Sequence, residues 1–160
     1  MKIRLGIMVA VIFLSGCASG PQFSEVPPSK DYAVLYVYRP YQFVGGGIQP
    51  VLRINGLKIS KVLDGGYTAV KLEPGKHNLK LHSAAALAPE SSQPFYSINL
   101  KVKAKQELYF RWVNNLEGIY GGVYADISNE YGFVEKSQAA DEIKETKYIG
   151  SEQNGIITGL

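Results

Sequence analysis

The chain has 160 residues, 46% of them apolar, with 17 lysines and arginines against 14 aspartates and glutamates and a net charge of +3. That length supports one domain, and so small a positive excess gives nucleic-acid binding no compositional support. A single cysteine excludes an intramolecular disulfide framework.

Residues 1–16 form a unit of their own. Lys2 and Arg4 make a charged start, Leu5 to Leu14 is a short apolar run, and Ser15-Gly16 is a small-residue exit. This is the pattern of a secretory signal peptide. The apolar run falls well short of the roughly 20 residues that a membrane span needs. Removing the segment takes Lys2 and Arg4 with it and lowers the net charge from +3 to +1. The basic balance therefore belongs largely to export.

Leu14-Ser15-Gly16-Cys17 resembles the lipobox of bacterial lipoproteins. The resemblance implies cleavage before Cys17, a diacylglyceryl group on its sulfur and an acylated N-terminus. Two or more acyl chains hold a protein firmly to a bilayer, where one does so only marginally. Ala18 follows Cys17. Within the resemblance, that residue implies sorting to the outer membrane, facing the periplasm. Residues 17–30 are rich in Pro, Ser and Gly and read as a lipidated N-terminus and flexible tether.

From Asp31 the composition shifts. Ala33-Val34-Leu35-Tyr36-Val37-Tyr38 is β-branched, aromatic and apolar on both faces, so it reads as a central strand, ended by Pro40. Gly45-Gly46-Gly47 sits in a loop. Asn55-Gly56 between Val51–Ile54 and Leu57–Ile59 is a strong hairpin signal, because both turn positions need positive φ. Tyr67 to Leu72 is a further strand. Glu73-Pro74-Gly75-Lys76 fits a type II turn. Leu79 and Leu81 then alternate with Asn78 and Lys80, and Ile98, Leu100 and Val102 alternate with Asn99, Lys101 and Lys103. Gln106 to Val113 is a strand, Asn114 to Gly122 a loop and Val123 to Ile127 a last strand. Ser137 to Tyr148 has helical spacing, with Ser137 placed to cap it. The expected fold is mainly β: an antiparallel β-sandwich of about seven or eight strands with one C-terminal α-helix, spanning residues 31–149. Residues 150–160 read as a flexible tail.

Three motifs occur together: Tyr36-Val37-Tyr38-Arg39-Pro40, the Val51-to-Lys58 hairpin, and Leu72-Glu73-Pro74-Gly75-Lys76-His77. Their order resembles a family of bacterial lipoproteins of unknown function that carry a small β-sandwich after the lipobox. The Pro-Gly-x-His turn is also similar to that of PEGA-type surface modules. The resemblance implies a fold and a cell-envelope location; it brings no catalytic residues.

The chemistry-bearing residues are few. His77 and His82 are five apart on one strand, which places them on opposite faces and unsuits them as a metal pair. His77 is expected to buttress the turn and His82 to be solvated. Asp126 and Glu130 are the one carboxylate pair suggested by spacing. No catalytic or dinucleotide fingerprint is present, and no cofactor or metal is expected. Eleven tyrosines suit either a core or a recognition surface. Trp112, Tyr120, Tyr124 and Tyr131 beside the Asn114 loop are the candidate ligand surface. Lys101, Lys103 and Lys105 form a basic stripe that suits either anionic headgroups or an edge strand guarded against aggregation. The leading expectation is a non-enzymatic envelope lipoprotein, anchored through Cys17, whose sandwich is an interaction or scaffold module. Its envelope partner is left open. The alternatives are a module binding peptidoglycan or another envelope glycan and, behind it, a hydrolase.

Overall fold

The computed structural model describes residues 18–43, 45–85, 88–120 and 124–160. Ten strands make two sheets. The larger contains β1 (Ala33–Arg39), β4 (Gly66–Leu72), β7 (Glu107–Tyr120) and β8 (Tyr124–Val134), with the short β9 (Lys147–Tyr148) and β10 (Ile156–Ile157) along β4. The smaller runs β3 (Leu57–Lys61), β2 (Val51–Ile54), β5 (Gly75–His82), β6 (Pro94–Val102). Among the described residues one helix, α1 (Lys136–Ile143), lies against the larger sheet.

The expectation of a mainly β, two-sheet fold with one helix holds in that form. The sheets are not wholly antiparallel, however, and there are ten strands among the described residues. β1 pairs with β4 antiparallel but with β7 parallel, and β9 and β10 both join β4 parallel. A strand's side-chain pattern records which face is buried and leaves the direction of its neighbour free.

β1 explains the layering. All seven of its residues are buried, six of them the uninterrupted apolar run Ala33–Tyr38 and the seventh Arg39. Ala33, Leu35 and Val37 face the smaller sheet and join Leu52, Ile54, Leu79, Leu81 and Phe110 in a mainly aliphatic core between the sheets. Val34, Tyr36 and Tyr38 face the other way. They meet Tyr67, Tyr109, the α1 residues Ala139 and Ile143, and the N-terminal residues Phe23 and Val26. The larger sheet is thus covered on both faces.

Local chemistry sets the turns. Asn55 and Gly56 both take positive φ, 53° and 83°, so the expected tight hairpin forms. Gly75 sits at φ 151°, a value other residues avoid, although it lies away from the φ of a type II turn. α1 is shorter than its sequence pattern suggests, and its N-cap is Glu135 without a side-chain capping bond, not Ser137. The helix stops because Thr146 returns both its amide and its hydroxyl to the Ile143 carbonyl, at 2.9 and 2.6 Å. That turn sends Tyr148 into β9, where its ring meets Tyr67.

Three segments read as irregular carry order. Asn114 to Tyr120 continues β7 instead of forming a loop, and pairs with β8 from Asn129 back to Tyr124. Residues 18–26 lie on the larger sheet: the Ala18 amide donates to Asp64, Phe23 to Thr146 and Val26 to the Tyr36 hydroxyl. In the stretch read as a tail, Ile157 is buried in the inter-sheet core.

Candidate functional site

The four aromatic residues of the expected ligand surface divide into two places. Trp112 and Tyr131 are cross-strand partners on β7 and β8, and their rings stack at 5.1 Å and 9°. Phe95 meets both edge-on, at 5.3 and 5.5 Å. The Trp112 indole N–H donates to Asn114 Oδ1 at 2.8 Å. This cluster borders a cavity of about 620 Å³ lined mainly by apolar side chains, among them Ile48, Pro50 and Ala84. Trp112 is almost fully buried, so its ring acts as cavity wall and core rather than as an open platform. Tyr120 and Tyr124 are backbone partners at the far end of the β7–β8 hairpin, eight and seven residues away along their strands. At roughly 3.4 Å per residue that is more than 20 Å. The structure therefore brings Trp112 and Tyr131 together and leaves Tyr120 and Tyr124 apart from them.

The polar candidates are bonded locally. His77 is buried, with Nε2 2.8 Å from the Glu73 carbonyl and Nδ1 3.0 Å from Asn55 Nδ2, so it ties the Pro74 turn to the hairpin turn, as expected. His82 is not solvated. A register shift after Leu81 turns it inward, and Nδ1 lies 2.9 Å from the Ser91 carbonyl. Asp126 and Glu130 lie four residues apart on one strand, about 13 Å, beyond the separations used by carboxylate pairs in glycoside hydrolysis. Glu130 instead bonds Arg111 at 2.5 Å. Among the described residues no cluster of three or more His, Cys, Asp or Glu is placed to hold a metal ion, and no helix is long and apolar enough to cross a membrane.

The lysine stripe breaks up. Lys101 lies on β6, the edge strand of the smaller sheet, directly opposite Lys76, while Lys103 and Lys105 fall in the turn that follows. Like charges facing each other across a ladder cost stability, and lysines on an exposed edge discourage further strand pairing.

The more organised region is the end of the molecule where β1 finishes. Cys17 lies outside the described residues, but Ala18 is buried there, its amide 3.0 Å from the Asp64 carbonyl. Arg39, the last residue of β1, is fully buried and holds Asp64 at 3.2 Å. Its other nitrogens donate to the Ile48 and Gly45 carbonyls at 2.7 and 2.9 Å, which folds the 40–49 loop around the guanidinium. The Asp64 carboxyl also accepts the Gln42 amide. Burial pushes its pKa upward, against the opposing pull of Arg39 and that amide. Gln42 in turn exchanges two 2.6 Å bonds with the Asn114 backbone. One buried ion pair and one glutamine thus join Ala18, the loop and the base of the β7–β8 hairpin. Gly20 is needed for this approach: a Cβ there would run into the Tyr148 carbonyl oxygen.

Two side chains of the loop point outward, Tyr41 and Phe43, the latter 95% exposed. The hairpin leaves the same end. β1 pairs with β7 only as far as Arg111, yet β7 runs on to Tyr120. Beyond Trp112 the two strands form an arm paired to itself, carrying exposed Leu116, Ile119 and Tyr120. Neither the ordered N-terminal segment nor this arm was read from the sequence. Phe23 and Val26 within the Pro/Ser stretch, and the apolar Leu116 and Ile119 within the polar loop, were the available signals.

The family described as "Protein of unknown function (DUF2846)" matches residues 29–123, from just before β1 to three residues past the end of β7. No curated protein matches the chain.

Proposed function

The chain belongs to the DUF2846 family, and for this member we propose a non-enzymatic role as a lipid-anchored protein of the bacterial envelope. Cys17 is the acylated residue, the outer membrane facing the periplasm is the location, and the two-sheet body is an interaction module. The observation that carries the reading is a junction. A lipobox-like Leu14-Ser15-Gly16-Cys17 ends one residue before Ala18 is hydrogen-bonded onto the fold. An anchor at Cys17 then has a fixed exit point on the domain. The bonding of His77 and His82 to backbone carbonyls fits a structural use of both.

Metabolic labelling with an acyl probe tests this. The wild-type chain takes the label and sediments with membranes, and Cys17→Ser takes no label. A labelled mutant, or an unlabelled wild type, overturns the reading. A glycan-binding role draws its support from the Trp112–Tyr131–Phe95 cluster beside its cavity. Sedimentation with purified peptidoglycan that Phe95→Ala abolishes would favour that reading over the interaction module.

A further inference from the structure

We propose that the end of the domain bearing Ala18 docks onto the bilayer surface, with Tyr41 and Phe43 of the 40–49 loop and Ile119 and Tyr120 of the β7–β8 arm seated among the lipid headgroups. The proposal rests on the anchorage reading above and adds an orientation and a contact surface to it.

Ala18 fixes where an anchored chain would leave the fold. Cys17 is one residue from Ala18, so their Cα atoms are about 3.8 Å apart. Ala18 itself is held by Asp64 and packs beside Gly66. A lipid on Cys17 leaves almost no slack between bilayer and fold. The body does not stand off on a tether; it sits with this end against the membrane.

Tyr41, Phe43, Leu116, Ile119 and Tyr120 are exposed at that same end, while Leu57, Ile156 and Leu160 are exposed at the other. Tyr41 lies over Gly65, one residue from the Asp64 carbonyl that holds Ala18. Phe43 follows two residues later on a loop pinned by Arg39. The arm rises from Asn114, which Gln42 ties to the loop, and its six further residues reach roughly 20 Å. Ile119 is 64% exposed and Tyr120 63%. Large aromatic rings with one polar tip favour the membrane–water interface.

The arm has a limit built into it. Its strands pair with each other and leave outer edges open, and open sheet edges do not occur in the hydrocarbon core. It also carries Glu117 and Asp126. Both features hold it at headgroup depth. The acidic pair makes a zwitterionic bilayer a better match than an anionic one. Lys103 and Lys105 lie at the other end of β1, beside Tyr32, about seven strand residues away. In this orientation they face away from the membrane and do not serve as its headgroup contacts.

The test uses the full-length chain, purified from membranes and returned to phosphatidylcholine vesicles. A fluorescent maleimide is placed at Phe43→Cys, Ile119→Cys or, at the opposite end, Ala104→Cys, and nitroxide-labelled phosphatidylcholine is the quencher. Loss of fluorescence at 43 and 119, strongest with the nitroxide near the headgroup, and none at 104 is the expected result. No quenching at 43 and 119 overturns the docking while leaving the anchor intact. Labels there that are hidden from both lipid and aqueous quenchers mean that a second copy of the chain covers the surface, and also overturn it. Wild-type protein that reacts with the maleimide has a free Cys17, and the anchorage reading falls together with the orientation built on it.

Discussion

The two faces of β1 bury side chains of different kinds. Toward the smaller sheet lie Ala33, Leu35 and Val37 in an aliphatic core. Toward α1 and the N-terminal segment lie Val34, Tyr36 and Tyr38, in a core whose largest members are tyrosines. An aliphatic side chain contributes burial and shape. A buried tyrosine contributes those and a hydroxyl that must be satisfied. Tyr36 takes the Val26 amide at 2.7 Å, Tyr67 the Ser24 amide at 3.2 Å, and Tyr38 donates to Glu142 of α1 at 2.7 Å. The aliphatic face thus holds two sheets together, while the tyrosine face fixes the places of two added segments. One of these is residues 18–26, which sets the exit of the N-terminus.

The contrast breaks first at Asp64, which serves the anchor end. Asp64→Ala leaves the Arg39 guanidinium buried without its carboxylate and should cost about 3–5 kcal/mol; denaturant unfolding gives the number. Leu35→Ala empties part of the aliphatic core and should cost about 2–5 kcal/mol, lowering the melting temperature of the whole domain. Gly75→Val places a β-branched residue at φ 151° and should cost on the order of 1 kcal/mol or more, also read from the melt.

Alkali separates the two faces. Burial raises Tyr38 well beyond the ordinary tyrosine value of 10.0 and Tyr109 to about 12. The neutral hydroxyls are therefore favoured in the folded state. Their contribution is complete below pH 10 and is lost as the pH climbs through the folded-state values. Ultraviolet titration should show these rings ionising late, together with loss of structure. The smallest effect is Tyr36→Phe, which removes one hydroxyl and should cost about 1 kcal/mol. Limited proteolysis should then cut within residues 24–30 faster, with little change in the melting temperature of the sheets.

Legibility in the sequence followed the same division. The aliphatic half was readable because burial on two faces leaves an unbroken apolar run at Ala33–Tyr38, and because Asn55-Gly56 encodes its own turn. The parallel pairing of β1 with β7 was not, since alternation carries no sign of a neighbour's direction. The tyrosine half was half-hidden: Tyr36 and Tyr38 were visible, but Phe23 and Val26 sit among prolines and serines whose composition argues for a tether. Ile156-Ile157 was similarly outweighed by its glycine-rich surroundings. At the candidate site, residues opposite each other on a hairpin met, as Trp112 and Tyr131 do. Tyr120 and Tyr124 stayed apart from them because the Asn114–Tyr120 stretch continues the ladder instead of looping back. Arg39 stood out within the Tyr-Arg-Pro motif, but nothing local paired it with Asp64, far along the chain.

The central claim is that residues 18–26 belong to the fold and fix where the chain leaves it. Amide hydrogen exchange on the intact protein tests it most directly. The Ala18, Phe23 and Val26 amides, bonded to Asp64, Thr146 and Tyr36, should exchange far more slowly than a free peptide. Exchange at the free-peptide rate across 18–26 would contradict the account.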